Sequence, residues 1–171
     1  MAIINGKALV KDGKAVDKVF SNGRQVYGRN LLKGTINSDS MFGFDYFGQT
    51  WWSYPFANGE NVQNQGLSVG DTLTCEFDWE VSNPTSGSFI LQLNGMENQE
   101  LSETISITSE NKSGHSKFSF VVDAKLLNGI DTRIQYRADY LPYNSMLTIS
   151  NLTLAKGSPA QPWTPAPEDY I

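Results

Sequence analysis

Three sets of side chains in this sequence have types and spacings that can do chemistry. Glu76, Asp78 and Glu80 alternate along one run, so in a strand they share a face. Consecutive members would lie ~7 Å apart, two residues of strand rise. That falls within the separation of the carboxyl pair in an inverting glycoside hydrolase. Such a pair also needs a cleft and unequal environments to divide acid from base, and acidic alternation is ordinary on a solvated strand. His115, within Lys112-Ser113-Gly114-His115-Ser116, reads as a hairpin tip with no triad partners in view.

The second set is planar and polar. Gln92 and Asn94 alternate with Phe89, Leu91 and Leu93, while Arg133, Gln135 and Arg137 alternate with Ile134, Tyr136 and Ala138. If the apolar members face a core, the amides and guanidinium groups line the opposite sheet face. Amides and guanidinium forks match vicinal hydroxyls, which offer a donor and an acceptor together. An ordinary solvated sheet face carries the same residue types.

The third set is aromatic. Met41 to Phe56 contains eight aromatic residues, among them Trp51, Trp52 and Tyr54. Adjacent tryptophans in an extended segment point opposite ways, so at least one is difficult to bury. Aromatic rings stack on the apolar faces of pyranose rings through dispersion and CH–π contact; the competing assignment for any one ring is the core. Tyr143, in the turn Tyr140-Leu141-Pro142-Tyr143-Asn144, is a rim candidate or a loop tyrosine packed on an edge.

Composition removes several alternatives. The chain has 171 residues, 39% hydrophobic, enough for a core, with one His, one Cys and a net charge of -5. An internal disulfide is impossible, and a Cys/His zinc site lacks ligands. Asp39, Asp45 and Asp123 are candidate oxygens for a structural calcium, but no dense acidic loop pattern surrounds them, so we expect no metal and no cofactor. The negative charge argues against nucleic acid and against an anionic membrane surface. No run is long and apolar enough to span a bilayer, and the N-terminus does not read as a signal peptide.

The elements that must position these residues are strands. Asn5-Gly6, Asp12-Gly13 and Asn22-Gly23 separate short apolar runs, as in two-residue hairpins. From 31 to 156 we read no helix, only period-2 strands. Leu73 to Val81 is one. Another runs from Leu147 to Leu154, with a phase slip near Ser150-Asn151 that suggests a bulge. The expected fold is all-β: an antiparallel β-sandwich (jelly roll) with a short N-terminal hairpin arm. Residues 1–29 form the arm and 30–157 the sandwich. Residues 158–171 form a Pro-rich tail, extended over the surface and anchored by Trp163.

Two segments are familiar. Asn22-Gly23-Arg24-Gln25-Val26-Tyr27-Gly28-Arg29-Asn30-Leu31-Leu32-Lys33-Gly34-Thr35 resembles a segment of tail and baseplate proteins of phages that infect Gram-positive bacteria. Ile149 to Gly157, followed by Trp163-Thr164-Pro165-Ala166-Pro167-Glu168-Asp169, is similar to the other bookend of those proteins. Between the bookends, the resemblance implies a jelly-roll carbohydrate-binding module. It implies a virion protein, assembled in the bacterial host cytoplasm, that holds a host cell-wall polysaccharide. Its partners would be other tail or baseplate proteins and further copies of itself. The expected activity is non-enzymatic binding. The competing reading is a structural or assembly protein with no saccharide ligand, and a glycoside hydrolase is the weakest of the three.

Overall fold

The structure is a computed structural model. It describes residues 10–11, 14–15, 18–21, 24–57, 62–94, 99–100, 102, 104–129, 133–157, 163, 165–166 and 169, with 10–28, 50–53, 94 and 99–100 described by backbone alone.

At the N-terminus, β1 (Val10–Lys11) pairs with β2 (Lys14–Ala15), and β3 (Lys18–Ser21) with β4 (Arg24–Gly28). Lys11 faces Lys14 across Asp12-Gly13, and Ser21 faces Arg24 across Asn22-Gly23. Each register leaves two residues between the strands, the spacing of the expected hairpins, and the Asx-Gly residues themselves lie outside the described residues. The Asn5-Gly6 turn lies outside the described residues.

The remaining strands are β5 (Asp39–Phe42), β6 (Gln49–Pro55), β7 (Thr72–Ser82), β8 (Ser88–Asn94), β9 (Gln99–Glu100), β10 (Ile105–Ser106), β11 (Ser113–Val121), β12 (Arg133–Asp139) and β13 (Met146–Lys156). They form two antiparallel sheets. One has the order β10-β8-β12-β6, with β9 also on β8, and the other has the order β11-β7-β13-β5. This is the expected β-sandwich. Its core takes the inward set of each strand: Leu73, Cys75, Phe77, Trp79 and Val81 from β7, Phe89, Leu91 and Leu93 from β8, Ile134, Tyr136 and Ala138 from β12, and Leu147, Ile149, Leu152 and Leu154 from β13. Phe89 meets Trp79 edge-on at 5.3 Å and Phe77 at 6.3 Å between ring centroids, which ties the two sheets together. Each fully buried ring or aliphatic side chain contributes about 2 kcal/mol.

The phase slip in β13 is a bulge. Ser150 pairs with Asp78 and Thr153 with Glu76, so Asn151 and Leu152 together oppose Phe77. Asn151 adopts φ 51, a left-handed conformation that Asn tolerates. Leu152 is thereby returned to the core.

Three features differ from the sequence reading. Val62–Gln65 form a short 3-10 helix. A four-residue helix, α1 (Ala124–Leu127), follows Asp123. The Asp123 carboxylate accepts from Leu126 N at 2.7 Å as the N-cap. Among the described residues, no group of three or more His, Cys, Asp or Glu could hold a metal ion. His115 is not at a hairpin tip: it lies within β11, opposite Asp78.

The two familiar segments meet in space. Asn30 is fully buried, and its amide uses its whole capacity. Nδ2 donates to Thr35 Oγ1 and to Leu152 O, both at 3.0 Å. Oδ1 accepts from Leu32 N at 3.2 Å and from Leu154 N at 3.0 Å. Leu31 N adds a bond to Leu154 O at 2.7 Å. Asp169 Oδ1 accepts from Gly34 N at 2.7 Å, and Ala166 is buried beside it. The tail is therefore held at Ala166 and Asp169, and Trp163 is half-buried.

Candidate functional site

Among the described residues, the exposed aromatic side chains gather at one end of the sandwich. Residues 43–48 join β5 to β6, residues 140–145 join β12 to β13, and the two loops bond to each other along their length. Gly43 N donates to Ser145 O, Asp45 N to Leu141 O, and Tyr140 N to Tyr46 O, each at 3.0 Å. Gly43 is required here, because a Cβ would overlap the carbonyl oxygens of Leu141 and Pro142. Residues 83–87 brace the pair from below. Ser145 Oγ donates to Asn83 O at 2.8 Å, and Asn83 Nδ2 donates to Asn144 O at 3.1 Å.

On this frame Phe42, Phe44, Tyr46, Phe47, Tyr140 and Tyr143 are all exposed, Tyr143 at 65%. Phe44 contacts Tyr46 at 6.0 Å and Tyr143 at 5.7 Å, with interplanar angles of 46° and 67°. Phe47 contacts Tyr140 at 6.1 Å. Contiguous exposed apolar surface of this kind marks recognition sites. Tyr140 also holds strained backbone, at φ 54. A bulky side chain rarely sits in that region, and such strain concentrates at functional sites.

Arg137 links this end to the sheet. Its guanidinium bonds Asp139 through Nε at 3.1 Å and Nη2 at 3.0 Å. Its Cζ lies 5.1 Å from the centre of the Phe47 ring. Asp139 is buried and also accepts from Gly48 N at 2.8 Å, which pins the start of β6.

The candidates read from the sequence divide accordingly. Arg137 and Tyr143 come together at the aromatic end. Arg133 is half-buried on β12, away from that cluster, in register with Asn94 and Pro55. Tyr54 is corrected to core: it is 5% exposed, pairs in register with Ile134, and burial, with the Asp39 charge second, pushes its hydroxyl above the ordinary range. Gln92 and Gln135 lie on the face predicted, opposite the core and directly across from each other. That face is not open, however, since Gln92 is 1% exposed and Gln135 6%. Ile90 and Asp139 on the same face are buried too, so the sheet is covered on both sides there. The backbone places Trp52 and Ser53 in a bulge opposite Gln135, since Trp51 pairs with Tyr136 and Tyr54 with Ile134. The side chains of Trp51, Trp52 and Asn94 lie outside the described residues.

Sequence reasoning did not single out Phe42, Phe44, Tyr46, Phe47 or Tyr140. The available signal was Gly43 and Gly48 enclosing aromatic residues, since glycine breaks between two strands mark a turn and place the rings between them outside the sandwich.

The acidic face is a different environment. Asp78 accepts from Asn151 Nδ2 at 2.7 Å and sits 2.8 Å from His115 Nδ1. The Asn151 bond first, and the His115 bond second, hold its carboxyl below the usual carboxylate range. Lys117 Nζ lies 2.6 Å from Glu76 Oε1. A cleft of about 370 Å³ opens nearby at the edge of the sandwich, lined by Ser102, Ile105 and the β11 residues His115 to Phe118.

No protein-family model matches the sequence, and no curated protein matches it. Among the solved structures that align with this chain are the following two. The tripod (BppUct-A-L) from the baseplate of bacteriophage Tuc2009 aligns over 81% of this chain with a TM-score of 0.50 and 15% identity. This chain spans 58% of that longer one. A CBM4 structure aligns over 53% of this chain and 68% of its own, with a TM-score of 0.39 and 13% identity.

Proposed function

We propose that this chain is a non-catalytic carbohydrate-binding module of a phage tail or baseplate protein that adheres to host cell-wall saccharide. The observation that carries the reading is the set of exposed rings on two cross-bonded loops, Phe42 to Phe47 and Tyr140 to Tyr143. Rings held in place stack on sugar faces with little ordering cost, and a rigid sandwich end keeps them in register. The fold shared with the Tuc2009 baseplate tripod supports the tail or baseplate setting. In that setting the β1–β4 hairpins are the attachment arm, further tail proteins or copies of the chain are the partners, and the virion is the location.

Binding alone is the activity that fits the carboxylates. Asp78, held ionised by Asn151 and His115, is a poor proton donor, and Lys117 ion-pairs with Glu76. The division into acid and base that glycoside hydrolysis needs is therefore not supported on this face. Single-site affinity is expected to be weak, because sugar hydroxyls exchange water hydrogen bonds for protein ones. Several copies on one particle would raise it through effective concentration.

The test is binding of the fluorescently tagged chain to phage-sensitive cells and to their purified wall polysaccharide. Saturable binding that falls at least tenfold in a Phe44→Ala/Tyr143→Ala double variant of unchanged melting temperature is the expected result. A chain that ignores cells and polysaccharide but still self-associates favours the structural virion reading instead. Release of reducing ends from the walls, abolished by Asp78→Asn, would overturn the non-catalytic assignment.

A further inference from the structure

We infer that Phe44, Tyr46 and Tyr143 form a cup for an ammonium group carried on the bound saccharide; this rests on the saccharide reading and names the part of the ligand that this end would recognise. The rings are inclined by 46° and 67° about Phe44. The apolar face of a pyranose chair stacks on one ring at a time, which leaves the inclined neighbouring rings for another group on the same saccharide. A compact, rounded cation can touch several inclined faces at once. With centroids 6.0 and 5.7 Å from that of Phe44, Tyr46 and Tyr143 both neighbour it, and the cup is the space that the three rings would share. Each ring face is the negative pole of its quadrupole and attracts a cation within about 6 Å of the centroid.

Charge at the site agrees. Asp45 sits between Phe44 and Tyr46 in the chain, and its carboxylate is directed to the Tyr143 backbone, with Oδ2 3.4 Å from Tyr143 N. A fixed carboxylate beside three rings complements a positive ligand and repels an anionic one. The neighbouring ring provides an internal precedent, since Phe47 already carries a cation, the Arg137 guanidinium, 5.1 Å from its centre. The whole chain, at net charge -5, favours a positively charged group over a phosphate-rich one.

The probe is choline, compared with dimethylbutanol, its uncharged isostere, by titration calorimetry on the intact chain. Choline is expected to bind at least tenfold more tightly than the isostere. Tyr46→Leu and Tyr143→Leu keep bulk but remove the π face, and each should weaken choline at least threefold. Asp45→Asn removes the charge while keeping a residue that tolerates the left-handed backbone, and it should weaken choline without changing the isostere. Equal binding of the two probes, or no choline binding by a folded chain, overturns the inference. If neutral wall polysaccharide still binds in that case, the saccharide reading stands and only the ammonium cup is lost. If choline binds but no wall polysaccharide does, the saccharide reading fails. Co-sedimentation with phosphatidylcholine vesicles but not with choline-bearing polysaccharide would overturn the assignment of the cation to a saccharide.

Discussion

On the four-stranded sheet, the outward set of β7 and β11 meets water. Glu80, His115, Lys117 and Ser119 are exposed, and Lys117 pairs with Glu76 and His115 bonds Asp78 across the strands. On the five-stranded sheet, the outward set of β8 and β12 is closed over, with Ile90, Gln92, Gln135 and Asp139 all buried. The difference decides what a polar group costs. In water, a charge needs no partner. Under cover, each one must be matched or it destabilises the fold. Asp139 is matched by Arg137 and by the Gly48 amide, and that match holds the guanidinium over Phe47. The closed face acts as a support, and the rings at its end face outward.

Substitutions can break or sharpen that contrast. The largest effect is expected for Arg137→Ala, which strands a buried carboxylate: about 3 kcal/mol of stability should be lost in urea unfolding. A loss below about 1 kcal/mol would mean that Asp139 is solvated and the faces are alike. Gly43→Ala should cost about 2 kcal/mol through overlap with backbone that cannot move aside, and it should reduce ligand binding by splaying the aromatic loops. Gln92 Oε1 finds no hydrogen-bond donor among the described residues. Gln92→Leu should therefore change stability by less than about 1 kcal/mol in either direction. A larger loss would reveal a partner for that oxygen.

On the open face the effects should be smaller. His115→Ala should cost less than about 1 kcal/mol and still less at high salt. The folded pKa of Asp78 is lowered, so its contribution is present above the unfolded value of about 4 and disappears as pH falls through the folded one. Melting temperatures of Asp78→Asn and the parent chain should therefore differ at neutral pH and converge in acid. A difference that persists at the lowest pH would show that the side chain acts through something other than its charge.

The sandwich was largely legible because alternation records burial directly. Leu73 to Val81 and Leu147 to Leu154 each display their inward set, and the Ser150-Asn151 slip marks a real bulge. Second-face burial was not legible. Gln92 and Gln135 have polar side chains at outward positions, and only the tertiary cover makes them interior. The aromatic end was half legible: the excess in Met41 to Phe56 was evident, but the ends of β5 and β6 decide which rings are core. Tyr54 falls inside a strand and packs, while Phe44 and Phe47 fall between strands and project. Their meeting with Tyr140 and Tyr143, about a hundred positions away, carries no local signal. His115 was misplaced because Gly114 read as a turn, whereas it continues the β11 ladder opposite Trp79.

Asn30 has a mechanical consequence. If the hairpins are the attachment arm, load arriving along β4 would meet the sandwich at a residue bonded through its side chain to Leu152 and Leu154, with Leu31 adding a main-chain bond to Leu154. β13 in turn is laddered to β7 along most of its length. Tension is therefore shared across a group of buried bonds and passed into the central strands of one sheet. The junction is built as a rivet, so a pulled module would keep its rings in place until the sheet itself gives way.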